Sequence, residues 1–215
     1  MYRLLLNNPI EFLGWLVAFL IAIMAHEVAH GYAALKNGDP TAKMSGRMNF
    51  NPLSHFDLMG VLMFIMIGFG YAKPVPINPS NFHNYRKGYF QVSVAGVLTN
   101  LLLAFVAYPL LYLALRYVPD FMLFDDFLRY FLIYLFNVNL WLMIFNLLPI
   151  YPLDGFRLVE LYTKPQNPYV RFMYKYSNFV ILGYLLISML GFNVVVILSD
   201  YVSSGIIWLW GLILP

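Results

Sequence analysis

Residues 12–35 read FLGWLVAFLIAIMAHEVAHGYAAL, an apolar run that contains one ionisable motif, His26-Glu27-Val28-Ala29-His30. A helix needs about twenty apolar residues to cross a bilayer, so this run is long enough. The whole chain has the same character, because 61% of its 215 residues are hydrophobic and 11% are charged. Soluble domains carry about 25% charged residues. We therefore expect an all-α polytopic membrane protein with one integral-membrane domain over residues 1–215, a core at 11–157 and C-terminal helices at 158–215.

The H-E-x-x-H motif inside this run indicates a metal site. Residues four apart share one face of a helix, so His26 and His30 can direct two imidazoles at one zinc ion. Glu27, next to His26, can reach a water on that ion. Ionisable groups in a membrane helix cost roughly 2.5–3.5 kcal/mol each, which favours a function over the alternative of a structural histidine pair. The chain has no cysteine, so the metal ligands must be N and O atoms.

Hydropathy and helix breakers divide the chain into four to five membrane-crossing segments. The predicted segments are full spans at residues 11–36, 89–117, 127–150 and 177–198, a short Trp-rich piece at 202–214 that either spans thinly or lies at the interface, a strand or hairpin at 41–50, a loop at 118–126, and a basic connector at 156–176. Residues 58–71 are apolar but too short to span, which favours a re-entrant segment. Alternating prolines in KPVPINP, residues 73–79, force an extended backbone between the first two spans.

A third metal ligand is predicted where the third full span breaks. Residues 146–155 read NLLPIYPLDG, in which Pro149 and Pro152 unwind the helix and place Asp154 on irregular backbone. A helix cap is the alternative role for this aspartate. His55 is either a residue near the metal or a loop histidine with a local partner. Asn100 is expected first to serve helix packing.

The three ligands must lie at one depth in the membrane, and this requirement predicts the topology. Both ligand-bearing spans carry their ligands at the C-terminal end, so they run in the same direction and one full span reverses the chain between them. Of the thirteen Lys and Arg residues, only Arg3, Arg116 and Arg129 then fall on the side away from the ligands. By the positive-inside rule the site faces the cytoplasm and the N-terminus lies outside.

Taken together, these motifs resemble the site-2 protease family of intramembrane zinc metalloproteases, in particular its small prokaryotic members without PDZ or CBS domains. The matching pieces are HEVAH at 26–30, NPLSHFD at 51–57, KPVPINP at 73–79, AGVLTN at 95–100 and NLLPIYPLDG at 146–155. H-E-x-x-H alone is shared by many metalloproteases, but its combination with N-x-x-P-x-x-P-L-D-G in a later span is specific. Tyr151 is bulkier than expected, and Phe156 stands where the family has a second glycine.

The resemblance implies one Zn²⁺ per chain and a set of site residues. The implied ligands are His26, His30 and Asp154, the general base is Glu27, Asn146 steadies the substrate carbonyl or oxyanion, and Pro74, Pro76, Asn78, His55 and Asn100 line the groove or support the site. The implied activity is regulated intramembrane proteolysis in a prokaryotic cell membrane. The partners are then the lipid bilayer and a single-span membrane-protein substrate cut near the cytoplasmic side, with no nucleic acid.

Two other functions are compatible with the same residues. One is a metal transporter or metal-binding membrane protein, although Glu27 beside the ligands would be idle in a carrier. The other is an inactive scaffold that binds a client helix, which an intact ligand set with Glu27 argues against.

Overall fold

The computed structural model describes residues 2–55, 73–117, 123–164 and 166–215. Nine α-helices and no β-strand lie in these residues, which confirms the all-α class. The helices are α1 (Tyr2–Asn7), α2 (Pro9–Lys36), α3 (Thr41–Met44), α4 (Pro52–His55), α5 (Tyr85–Tyr117), α6 (Leu123–Leu147), α7 (Asp154–Tyr162), α8 (Pro168–Met189) and α9 (Val194–Gly211). A single 3-10 turn, Pro79–Asn81, precedes α5.

Four helices among the described residues are long and apolar enough to cross a membrane. They are α2, α5, α9 and the part of α6 from Asp125 to Leu147. The prediction of a polytopic helical membrane protein is therefore confirmed. Helices α2, α5 and α6 lie close to the spans predicted at residues 11–36, 89–117 and 127–150.

Helices α2, α5 and α6 form the bundle that positions the site. Small residues allow the three backbones to approach, since Ala18, Ala104 and Ala107 are completely buried in the shared apolar core. Gly14 shows how close they come, because a Cβ there would lie 2.8 Å from the backbone nitrogen of Phe131 on α6. A larger residue at this point would push α2 and α6 apart.

The direction of α2 and α6 follows from two polar contacts near their starts. The side chain of Asn8 donates to the Tyr130 hydroxyl at 3.2 Å, and the Tyr134 hydroxyl donates to Glu11 Oε1 at 2.6 Å. Residue numbers rise together on the two helices, so these helices run parallel. This is the arrangement predicted from the need to bring both sets of ligands to one depth.

The boundaries predicted for the last spans are wrong. A turn interrupts the predicted span at residues 177–198, because α8 ends at Met189 and α9 begins at Val194. Gly191 adopts a left-handed φ of 96°, and the Asn193 side chain caps α9 by accepting from the Val196 N–H at 3.1 Å. The short piece predicted at 202–214 is the later part of α9, which is long enough to be a candidate span by itself.

The structure also corrects the predictions for three other segments. The strand or hairpin at residues 41–50 is wrong, because residues 41–44 form a helical turn that Gly46 follows with a φ of 65°. The loop predicted at 118–126 is corrected at its end, where Asp125 and Asp126 lie in the first turn of α6, a favourable place for acidic groups. The connector at 156–176 is largely helical, with α7 and the start of α8. The re-entrant segment predicted at 58–71 lies outside the described residues.

Candidate metal centre

Three buried side chains converge between α2 and the start of α7. The Nε2 atoms of His26 and His30 lie 3.0 Å apart. Asp154 Oδ2 lies 3.2 Å from the Nε2 atom of His26 and 3.1 Å from that of His30. The four-residue spacing puts both imidazoles on one face of α2, and α7 begins at Asp154. The structure thus brings together the three residues predicted as ligands, and the group could hold a metal ion.

Hydrogen bonds on the far side of each ring determine which nitrogen faces this centre. His26 Nδ1 lies 2.6 Å from Asn100 Oδ1, and His30 Nδ1 lies 2.8 Å from the Val92 carbonyl oxygen. Both partners are acceptors, so each Nδ1 carries the proton and donates it. Each Nε2 then presents a lone pair to the centre, which is how metal-binding histidines are oriented by the groups behind them.

The two Nε2 atoms and Asp154 Oδ2 all present lone pairs to one point, so a positive charge there would stabilise them. Asp154 Oδ2 is buried and receives no hydrogen bond, which without a counter-charge costs about 1–3 kcal/mol. An ionised carboxylate with two imidazole lone pairs is a donor set of catalytic zinc sites, which keep a fourth position open. The residues therefore fit zinc.

Glu27 is held beside the ligands by the extended segment at residues 73–78. Its Oε2 atom accepts a hydrogen bond from the Val75 N–H at 2.8 Å. Pro74 and Pro76 have no N–H, so Val75 supplies the donor at this point of the segment. The contact fixes the position of the Glu27 carboxylate, which belongs to the residue after the predicted ligand His26.

The other end of the extended segment is anchored by Asp39, which the sequence analysis did not single out. Asp39 is completely buried, and its Oδ2 atom accepts from the Asn78 N–H at 2.7 Å. Its Oδ1 atom accepts from Asn81 Nδ2 at 2.8 Å and from the Thr41 N–H at 3.1 Å. Burial raises the pKa of Asp39, but these hydrogen bonds and that of the Thr41 hydroxyl together lower it below its ordinary value. The carboxylate ties the end of α2 to the segment that contacts Glu27.

The remaining predicted site residues differ in their contacts and in their distance from the metal centre. Asn100 lies directly behind His26, as described above. His55 is completely buried, and its Nε2 atom lies 2.6 Å from the Asn49 carbonyl oxygen. Asn146 donates its side-chain amide to the Leu142 carbonyl at 2.9 Å on its own helix, so its catalytic role stays a prediction. The same holds for the groove residues Pro74, Pro76 and Asn78, which lie partly or fully exposed along the extended segment.

Gly96 on α5 has no side chain, and the His26 ring occupies the space that a side chain would take. A Cβ at this position would lie 2.4 Å from Cε1 and 2.6 Å from Nε2 of His26. The ring cannot turn away without losing its bond to Asn100. We therefore expect Gly96→Ala to weaken zinc binding by roughly 10- to 100-fold, which corresponds to the 1–3 kcal/mol of an overpacked core. Competition with a chelator measures this affinity.

Gly205→Ala in α9 is the matched control for that change. A Cβ at Gly205 would meet nothing within 4 Å, so this variant should bind zinc as the wild type does. Unchanged affinity in Gly96→Ala would contradict the prediction and would show that the His26 ring has room to move.

Comparison with known proteins gives this centre its context. No family model and no solved structure matches the chain. Over 157 residues the chain is 41% identical to "Putative zinc metalloprotease YwhC" of Bacillus subtilis (strain 168), and the match covers 72% of each protein. The zinc named there agrees with the ligand set found between α2 and α7. The chain belongs to the zinc metalloprotease family that YwhC represents.

Proposed function

We propose that this chain is an intramembrane zinc endopeptidase of the site-2 protease family. It cleaves the transmembrane segment of single-span membrane proteins near the cytoplasmic side. The observation that supports this proposal most directly is the position of the metal centre. His26, Glu27 and His30 lie within a helix long enough to cross the membrane, and two further candidate spans, α5 and α6, pack around it. Substrates that share the membrane can reach such a site.

The residues of the site have separate roles in the proposed hydrolysis. His26, His30 and Asp154 hold the zinc ion, which when bound supplies a Lewis acid that lowers the pKa of a water to about 7. Glu27 takes a proton from the attacking water and passes it to the leaving amine. Asn146 donates to the substrate carbonyl oxygen as negative charge develops there, and its amide has a second N–H for this bond beside the one that binds the Leu142 carbonyl.

The extended segment at residues 73–78 supports a proposal about how the substrate lies. A helix uses its carbonyls in its own hydrogen bonds, so the scissile bond must first become extended. The two prolines favour an extended backbone in this segment, which lies in no helix or strand and contacts Glu27 through Val75. A substrate strand added beside it would pass close to the site. Substrates whose transmembrane segment contains helix-breaking residues should therefore be preferred.

Metal removal tests the proposed activity. Purified protein in detergent should cut a tagged single-span substrate, a zinc chelator should reduce the product to background, and added zinc should restore it. Full cleavage after verified zinc removal would contradict a zinc-dependent mechanism. A metal transporter would instead make no product and would carry zinc into sealed vesicles. An inactive scaffold would retain the substrate uncut.

The orientation of the site is a separate proposal, supported by the excess of basic residues on the ligand side. The chain has no native cysteine, so single cysteines can be labelled without background. Asn7→Cys and Lys43→Cys place the label at exposed positions before α2 and after it. We expect Asn7→Cys to react with an impermeant reagent in intact cells and Lys43→Cys to react only after permeabilisation. The same accessibility at both positions would contradict the topology.

A further inference from the structure

Behind His26, a hydrogen-bond network of two buried asparagines crosses the helix bundle. Asn100 on α5 and Asn139 on α6 are both completely buried. Asn100 Nδ2 donates to Asn139 Oδ1 at 2.7 Å and to the Ala22 carbonyl at 3.2 Å. Asn139 Nδ2 donates to the Leu135 carbonyl at 2.7 Å. The hydrogen-bond network therefore runs from the backbone of α6, through Asn139 and Asn100, to His26, a predicted metal ligand on α2.

The orientation of both side-chain amides in this network follows from the bond at its far end, to the Leu135 carbonyl. The Leu135 carbonyl can only accept, so the amide of Asn139 must turn its nitrogen to that carbonyl and its oxygen to Asn100. That oxygen also only accepts, so Asn100 presents its nitrogen to Asn139 and its oxygen to His26. His26 must then donate from Nδ1, which leaves the lone pair of Nε2 for the metal.

We propose that Asn139 is a positioning residue of the metal centre and that it acts through Asn100 on the tautomer and orientation of His26. If Asn139 lost its oxygen, the side-chain nitrogen of Asn100 would keep only its longer bond, to the Ala22 carbonyl. The amide of Asn100 could then rotate, and the acceptor that holds the proton on His26 Nδ1 would no longer be fixed. Groups that bond directly to metal-binding histidines contribute about 10- to 100-fold to metal affinity. Asn139 acts through Asn100 and not directly on His26, so we expect an effect at the lower end of this range.

Asn137 on the same helix separates this role from a general effect of asparagine on α6. Its side-chain amide donates to the Ile133 carbonyl at 2.9 Å, the same bond one helical turn back that Asn139 makes to Leu135. In the part of the chain that the structure describes, the asparagine on α6 that bonds to Asn100 is Asn139. The two residues therefore share their bond to the helix and differ in what their oxygen atoms do.

Zinc affinity, measured without substrate by chelator competition in detergent, tests the inference. It rests on the metal centre of the proposed function but not on proteolysis. Asn139→Leu keeps the approximate volume and removes the acceptor, and we expect zinc binding about 10-fold weaker than in the wild type. Asn139→Asp retains an acceptor oxygen, and burial favours its protonated form, whose O–H can donate to the Leu135 carbonyl, so this variant should restore affinity to near the wild-type value. Asn137→Leu should bind zinc as the wild type does. Asn139→Ala makes the same test should the leucine variant not fold.

Several results would overturn the inference. One is wild-type affinity in Asn139→Leu, and another is an equal loss in Asn137→Leu, which would make the effect general to α6. A loss in Asn139→Asp as large as in Asn139→Leu would overturn the role assigned to the Asn139 oxygen. His26→Ala/His30→Ala serves as the reference variant. If that variant still binds zinc with wild-type affinity, the metal centre is wrong and the proposed function fails with it.

Discussion

His26→Ala/His30→Ala should purify without zinc and without cleavage activity. The two imidazoles provide two of the three predicted ligands, and a single carboxylate, Asp154, cannot hold zinc in the tetrahedral geometry of protein sites. We expect metal analysis to find one zinc ion per chain in the wild type and essentially none in the double variant. Cleavage of a tagged single-span substrate should fall to background, because without the metal the pKa of the water stays too high for Glu27 to take its proton efficiently.

His83→Ala is the control for this pair. His83 is exposed. Its ring lies against Gly38 just after α2, and the backbone bond from its N–H to the Asn37 carbonyl at 2.9 Å survives the substitution. Zinc content and cleavage should both match the wild type. Zinc retained in the double variant would contradict the ligand assignment. Zinc lost from His83→Ala would mean that metal content responds to histidine removal in general.

The convergence of His26, His30 and Asp154 could be predicted from the sequence because each of them has a local signal. The spacing of His26 and His30 is that of one helix face, and the two prolines before Asp154 end α6 where an irregular backbone is needed. The bond between Asn100 and Asn139 has no such signal, because it joins residues that lie 39 positions apart in the sequence and on two different helices. Helix periodicity predicts that a face is buried but does not predict which polar groups meet across it.

The errors in the predicted fold have a similar cause. Residues 177–198 are apolar on average, and hydropathy does not register a turn made by Gly191 and Asn193 inside such a run. Thr41 is β-branched and favours a strand by propensity, but bonds to the Asp39 carboxylate fix it at the start of a helical turn. In each place a specific tertiary or capping contact overrode an average property of the segment.

Glu27→Gln should lower the cleavage rate by about 10²–10⁴-fold, the usual contribution of a general acid–base group. The amide has nearly the same shape as the carboxylate but cannot take a proton from water. Its oxygen can still accept the Val75 N–H, so the extended segment should stay in place. Glu27 is not among the three converging ligands, so the variant should keep its zinc. Loss of rate with zinc retained separates the base from the ligands, whose removal eliminates both.

Glu11→Gln is the control on the same helix. Glu11 lies in the first turn of α2, where it accepts from the Tyr134 hydroxyl and from Asn8 Nδ2, and a glutamine oxygen can keep the bond from Tyr134. Its cleavage rate should match the wild type. Wild-type cleavage by Glu27→Gln would exclude Glu27 as the base, provided that His26→Ala/His30→Ala makes no product. Product from that double variant would identify a contaminating protease, because it lacks two of the three ligands. The rates and zinc contents of these variants together therefore assign the base and the metal ligands independently.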